Sequence, residues 1–340
     1  MKPFLDSTDA VDDGPELARR MDRDGYLFVP GLLPADHLER VRRRFLDFAG
    51  DAGWLLDGTD PAEAVADLEG FTVEPQPEYM AVIRAVHGLE EFHALQHAPG
   101  LLDLIGRLCG GAEILPHPRL IPRAIFPQRE AYTTPPHQDF IPIQGTESTY
   151  TAWIPLSDLT AEMGGVQIAE GSHLGGVYDF RPGLGAGGIE ITRSFAGTWR
   201  GGPFDQGDVL FFHSLAVHRG VPNVSDSLRM SLDARFQRVG DPIAPETLMP
   251  FTRPQTWEEI YAGWPADSLY RYYWEGHTLD LKEYDLSYHR RRDTMAMEMA
   301  EEGDPRARST LQRIVARDKD PGRQEKARQL LENLDRRAPA

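Results

Sequence analysis

The chain of 340 residues carries 53 acidic and 36 basic side chains, a net charge of −17 and a single cysteine, Cys109. One cysteine excludes an internal disulfide and a thiolate zinc or iron–sulfur site, and the acid excess argues against nucleic acid as a partner. No apolar run approaches the roughly 18 residues of a membrane span, and the acidic stretch 1–13 lacks the apolar core of a signal peptide, so a cytoplasmic protein without membrane contact is expected.

In chain order, residues 15–23 read as a short helix that runs into Asp24-Gly25 and an apolar strand over 26–29. Pro30-Gly31 ends the strand, and Pro34 opens a second helix, where proline suits the first turn. Leu38, Val41, Phe45 and Phe48 fall on one face of that helix. Residues 50–70 are acidic and irregular, and 89–109 read as helix broken at Pro99-Gly100. From about residue 112 the pattern changes to short apolar stretches between Gly and Pro: 114–115, 120–126, 150–156, 166–169, 209–212 and 230–236. Such short strands with turn signals predict a β-sandwich or barrel. After 255 the chain turns helical again. An aromatic-rich segment, 257–274, precedes two short helices over 305–335, marked by Asp304-Pro305 and Asp320-Pro321. Residues 289–340 carry a net +3, which leaves −20 for the rest.

His137-Gln138-Asp139 is the first candidate for chemistry. On a strand, positions i and i+2 share a face, so one strand offers an imidazole and a carboxylate to one metal. A third histidine from another strand completes a facial two-histidine, one-carboxylate set. Chance alone supplies about two His-x-acid triplets in a chain of this composition. The chain has two, the other being His37-Leu38-Glu39, so context decides. The second triplet sits on the helix after Pro34, where i and i+2 do not share a face. The first follows Pro135-Pro136 at the mouth of a predicted strand. For the third ligand, His213 ends the strand 209–212 and His218 follows it. The strand-end position favours His218 over His213.

The stretch 229–236 alternates strictly. Met230, Leu232, Ala234 and Phe236 form one face; Arg229, Ser231, Asp233 and Arg235 form the other. If helices cover the apolar face, the polar face lines the interior. An inward Arg229 then needs an anion, and its fork suits a carboxylate. The competing reading is a solvated face of Arg–Asp pairs.

These pieces together resemble the phytanoyl-CoA dioxygenase-like branch of the iron(II)/2-oxoglutarate-dependent oxygenases. The resemblance spans Asp24 to about Gln237. It runs from Asp24-Gly25-Tyr26 and Pro30-Gly31 through His137-Gln138-Asp139, Trp153-Ile154-Pro155, Gly164-Gly165 and Gly171-Ser172-His173. It ends with Gly207-Asp208-Val209, His218, Asn223 and Arg229. The resemblance implies a mainly β fold with flanking helices: a double-stranded β-helix (jelly-roll, cupin-like) core plus a C-terminal helical extension. The dioxygenase domain would span 1–250 and the extension 251–340. It assigns iron(II) to His137, Asp139 and His218, and the distal carboxylate of 2-oxoglutarate to Arg229 with Ser231 beside it. Trp153 matches a position that contacts the cosubstrate or packs in the core. His173 reads as structural. Many members carry Ser or Thr two residues after the distal histidine, where this chain has Gly220; Thr134, Thr151 and Arg123 are candidates to replace that contact.

The implied reaction is oxidation of a small-molecule metabolite by dioxygen, with 2-oxoglutarate converted to succinate and carbon dioxide. Asp139 favours hydroxylation, since related halogenases carry a small residue there. An acyl-CoA thioester is the alternative substrate, for which the acidic body offers no evident basic platform. The competing classes are a non-catalytic metal-binding protein and a cupin-like enzyme that works without 2-oxoglutarate. The substrate pocket is expected from 70–90, from 140–150 and from a glycine-rich lid, 181–202, with Gly183, Gly185, Gly187 and Gly188 and with Arg181, Arg193 and Arg200 offered to the substrate. The aromatic segment is expected to pack the tail on the core. A homodimer contact through that segment or the last helices is a second reading, and the last helices are expected to be a capping appendage.

Overall fold

A computed structural model describes residues 1–183 and 188–337. Gly185 and Gly187 of the expected lid lie outside the described residues.

The N-terminal part is helical: α1 (Gly14–Asp24), β1 (Tyr26–Val29), α2 (Ala35–Asp51), α3 (Pro77–His87), α4 (Glu90–Ala94) and α5 (Pro99–Leu108). The middle holds β2 (Ile114–Pro116), β3 (Ile121–Ile125), α6 (Phe140–Ile143), β4 (Tyr150–Pro155), β5 (Val166–Ala169), β6 (Phe180–Pro182), β7 (Ile189–Ile191), β8 (Trp199–Arg200), β9 (Val209–His213), β10 (His218–Gly220) and β11 (Arg229–Arg238). The last part holds α7 (Trp257–Ile260), α8 (Ser287–Glu302), α9 (Arg308–Arg317) and α10 (Pro321–Arg337).

Local chemistry explains the boundaries. Asp13 caps α1 by accepting the Glu16 N–H, and Pro15 sits in the first turn. Gly25 ends the helix at φ +79°, a left-handed conformation that favours glycine. The Asp208 carboxylate holds the turn before β9 by accepting the Gly31 and Asp205 N–H groups, both at 2.9 Å. Asn223 fastens the turn before β11, donating to the Ile125 and Ser227 carbonyls.

Six strands form one antiparallel sheet in the order β1-β9-β4-β11-β2, with β3 also pairing β11; a second sheet runs β10-β5-β8, and β6 pairs β7. Alternation sorts the large sheet into two faces. Leu27, Val29, Ala152, Ile154, Phe211, Met230, Leu232, Ala234 and Phe236 join α1–α5 in the main core. Tyr26, Trp153, Leu210 and Phe212 on the other face pack with Val166 and Ile168 of the second sheet. The N-terminal helices therefore cover one face, and the two sheets enclose the other. Every residue from Arg229 to Gln237 is buried. The polar row of β11 faces inward, as the helix-covered alternative required.

The chain is mixed, 41% helical against 18% strand, rather than mainly β. Strands β2, β3, β4, β5, β9 and β11 fall where the apolar stretches predicted them, whereas β6, β7, β8 and β10, each two or three residues long, had no such stretch. Helix α3 is an added element: Tyr79, Met80, Val82, Ile83 and Val86 are all buried, so little polar alternation marked it.

The aromatic segment packs inside the chain. Trp257, Tyr261, Trp264 and Trp274 cluster on Leu115 and Ile243, with Trp264 Nε1 donating to the Gly88 carbonyl and the Tyr273 hydroxyl to the Pro116 carbonyl. Helices α8–α10 share a core of their own, built on Met297, Leu311, Ile314 and Leu330. No helix among the described residues is long and apolar enough to cross a membrane.

A Cβ on Gly25 would meet His173 Nδ1 at 2.4 Å. The same His173 donates from Nε2 to the Asp22 carbonyl, so it has little room to retreat. Gly25→Ala should cost about 1–3 kcal/mol through positive-φ strain and this clash. A lowered urea midpoint at unchanged slope is the expected reading; an unchanged midpoint contradicts it.

Candidate metal centre and substrate cavity

His137 and His218 are directly opposed across an antiparallel bridge, exchanging N–H···O=C bonds at 2.9 and 3.0 Å. Opposed residues share a face, and the two imidazole centroids lie 4.1 Å apart. Each ring is fixed from behind. His137 Nδ1 donates to the Pro135 carbonyl at 2.9 Å and His218 Nδ1 to the Ala216 carbonyl at 3.1 Å. A carbonyl only accepts, so both Nε2 atoms keep a free lone pair on the inner side. Burial first, then the neighbouring His218, hold His137 down to about 3 against the opposing pull of Asp139, and burial also lowers His218, so both rings are neutral.

Asp139 completes the group. Its Oδ1 lies 3.9 Å from His137 Nε2 and 3.8 Å from His218 Nε2, and donor atoms of all three residues lie within 4.8 Å of one another. The strand expected to carry both His137 and Asp139 ends before the carboxylate. Asp139 has helical φ −64° and ψ −29° and opens α6. This turn, rather than i, i+2 alternation, aims the carboxylate.

Two residues hold that carboxylate. Thr151 Oγ1 donates to Oδ2 at 2.6 Å. Arg235 reaches it through Nε and Nη2 at 3.2–3.3 Å. Burial alone would raise the Asp139 carboxyl; the Arg235 guanidinium foremost, with the Thr151 hydroxyl, opposes it and keeps it ionised well below the usual carboxylate range. Two neutral nitrogens and one anionic oxygen suit a divalent iron with one face left open. Arg235 as the carboxylate's partner was missed from sequence. Its signal was register: it shares the inward face with Arg229 and lies opposite Thr151.

The other candidates separate clearly. His213 lies outside the group, accepting the Leu215 N–H at Nδ1 and packing on Tyr150 and His173. Arg229 is buried and donates from Nη1 to the Val221 carbonyl at 2.9 Å, while its Nε has no acceptor. The nearby Asp233 carboxylate is taken by Arg123 at 2.7 Å. Burial and the Arg123 charge pull Arg229 down to about 10. A buried guanidinium without a carboxylate of its own fits a ligand anion. Ser231 is buried between Arg123 and Pro155 in the sheet register. Trp153 is buried opposite Asp233, 4.8 Å from the Phe204 ring. Thr134 runs beside Gly220, whose N–H donates to its carbonyl; a Cβ on Gly220 would lie 3.6 Å from Thr134 Cβ.

A cavity of about 950 Å³ opens over His137 and Asp139. Its walls correct the expected pocket. Glu74, Pro142 and Ile143 contribute, but no described residue of 181–202 does. The arginines offered there are engaged elsewhere: Arg181 pairs with Glu190, Arg200 with Glu170, and Arg193 stacks on Tyr178. The larger share comes from 246–254 and 284–323, so α8 and α9 help to wall the cavity rather than merely cap the core. Ten Arg or Lys residues line it against six Asp or Glu. The fold thus gathers a basic cavity within an acidic protein, which the linear charge count did not foresee.

A family model for phytanoyl-CoA dioxygenase matches residues 21–231. A 1-deoxypentalenic acid 11-beta-hydroxylase of Streptomyces arenae is 30% identical over 255 residues, covering 69% of this chain and 84% of its own. The protein of the same name from Streptomyces exfoliatus is 28% identical, covering 70% and 86%. Among solved structures, that of the epimerase SnoN in complex with Fe3+, alpha ketoglutarate and nogalamycin RO is 22% identical and covers 68% of this chain and 86% of its own, at a TM-score of 0.49. With the matched segment holding all three ligand candidates, the chain belongs to the phytanoyl-CoA dioxygenase family and is an iron-dependent dioxygenase that uses 2-oxoglutarate and dioxygen.

Proposed function

We propose that this enzyme hydroxylates a small-molecule metabolite of natural-product type, with iron(II) on His137, Asp139 and His218 and the distal carboxylate of 2-oxoglutarate on Arg229. The double-stranded β-helix is the proposed frame. One observation carries the reading: two imidazole Nε2 atoms and one carboxylate Oδ1 converge on a point beneath a cavity, each fixed from behind by another group. The relatives named as hydroxylases support the reaction type. Asp139 supports it too, since a carboxylate fills the position that a halide would need.

Iron(II), 2-oxoglutarate and dioxygen supply the oxidation of a C–H bond, with succinate and carbon dioxide released. The chain's own residues bind and orient. His137 and His218 are locked by their backbone carbonyl partners, so little ordering is lost when they ligate. Thr151 holds Asp139 Oδ2 and Arg235 reaches both carboxylate oxygens, while Oδ1 also faces the two imidazoles. Arg229 offers a buried cation to a carboxylate, with Ser231, Trp153 and Thr134 as proposed neighbours of the cosubstrate. The cavity walls exclude water and place the substrate bond over the open face.

Anaerobic iron(II) with 2-oxoglutarate should give the weak visible charge-transfer band of the chelate, and His137→Ala or Asp139→Ala should remove it. A wild-type protein with neither that band nor succinate release in oxygen sinks the proposal. Arg229→Gln should raise the KM for 2-oxoglutarate by about thirty- to a hundredfold, the loss of a charge-assisted fork, while iron affinity stays near wild type. An unchanged KM would move the cosubstrate elsewhere. Thr151→Val should weaken iron binding by about tenfold or more, through loss of the bond that orients Asp139. Equilibrium iron titration checks this, with retained 2-oxoglutarate affinity per bound iron separating it from misfolding.

A further inference from the structure

The cavity charge asks for an explanation that the metal and 2-oxoglutarate do not provide. Near the metal, charges balance in pairs: Arg235 with Asp139, Arg123 with Asp233. Farther out they do not. Asp293 is buried and receives Arg313 and Arg323, with Arg292 3.8 Å away. One carboxylate thus meets three guanidinium groups; Asp318 forms an ion pair with Arg323 and acts on Arg313 only at longer range. The buried Nε atoms of Arg292 and Arg313 have no acceptor.

Two more arginines, Arg119 and Arg253, line the same cavity. Arg119 donates only to the Glu246 backbone carbonyl and lies over the Phe251 ring. Arg253 makes no hydrogen bond or ion pair among the described residues. Glu246, Glu74 and Asp320 are the further carboxylates of the lining; Glu74 is held by Arg123, and Glu246 Oε2 has no hydrogen-bond partner among the described residues. Burial, then the Arg253 charge, lowers Arg119 to about 10; burial, then Arg292, does the same to Arg313. Such like-charge crowding in a half-buried cavity is costly unless an anion relieves it.

We propose that Arg119, Arg253, Arg292 and Arg313 form an anion subsite that docks a carboxylate or phosphate group of the substrate, with the rest of the substrate reaching toward the metal. This rests on the cavity being the substrate site. All but Arg119 lie beyond the family-matched residues 21–231, so this subsite belongs to the chain's own C-terminal segment. Guanidinium forks suit both oxyanions. The roughly 950 Å³ of space admits a substrate of drug-like size as well as its anionic group. His289, held neutral by burial and by Arg292, adds polarity without charge.

The test uses the full chain loaded anaerobically with iron(II) and 2-oxoglutarate. Phenyl phosphate, phenylacetate and benzyl alcohol are titrated by calorimetry. At least one anion should bind tenfold or more tightly than benzyl alcohol. Arg253→Gln and Arg292→Gln should each weaken that anion by about tenfold or more while leaving the charge-transfer band intact. Preference for phenyl phosphate identifies a phosphate ester, and preference for phenylacetate a carboxylic acid. Equal binding of the neutral alcohol, or anion binding that neither substitution changes, overturns the subsite. Calorimetry reads the anion and the visible band reads metal with cosubstrate, so the failure of one reading is seen apart from the other. His137→Ala should lose the band and keep the anion.

Discussion

The N–H and C=O groups that His137 and His218 exchange hold together two segments far apart in sequence, and the rest of the site follows from that pairing. Opposed residues of an antiparallel bridge project their side chains to one side. The imidazoles are therefore neighbours before any metal arrives. Each ring spends its outer N–H on a carbonyl of its own segment, which leaves the lone pair of the inner nitrogen free. The carboxylate then needs only a turn of the chain to meet them, and α6 begins at Asp139 to supply it.

Charge pairing sets the second constraint. Strand β11 puts Arg229, Ser231, Asp233, Arg235 and Gln237 into the interior, where unpaired charge is expensive. Arg235 is answered by Asp139, and Asp233 is answered by Arg123. Arg229 is answered only by backbone carbonyls. The same asymmetry recurs at larger scale over the metal, where arginines from α8 and α9 outnumber their carboxylates. The second imbalance lines a cavity that a ligand can fill.

The strands of the middle region were legible because a half-buried strand must alternate and because Gly and Pro punctuate its ends. The polar row of β11 was legible for the same reason, but that it faces inward was decided only by the helices packed on the opposite face. The ligand chemistry was legible from His137-Gln138-Asp139 in its setting after Pro135-Pro136, although its local geometry was not. Helix α3 escaped because nearly all its apolar residues are buried. The cavity walls escaped because α8 and α9 reach the metal region from a segment with its own core, and nothing in their local pattern says what they cover.

Sequence by itself determined the donor types and the alternation of β11, with Arg229 and Arg235 on its polar side, since these depend on residue chemistry and short-range spacing. Tertiary structure decided between His213 and His218, gave Asp139 its partner in Arg235, and turned a slightly basic tail into one wall of the site. Those outcomes rest on strand register and on packing between distant segments. The chain as a whole is acidic, at a net charge of −17. Its charge is nonetheless sorted in space, because folding brings arginines from 119, 253, 292 and 313 to one cavity that no local window of the sequence contains.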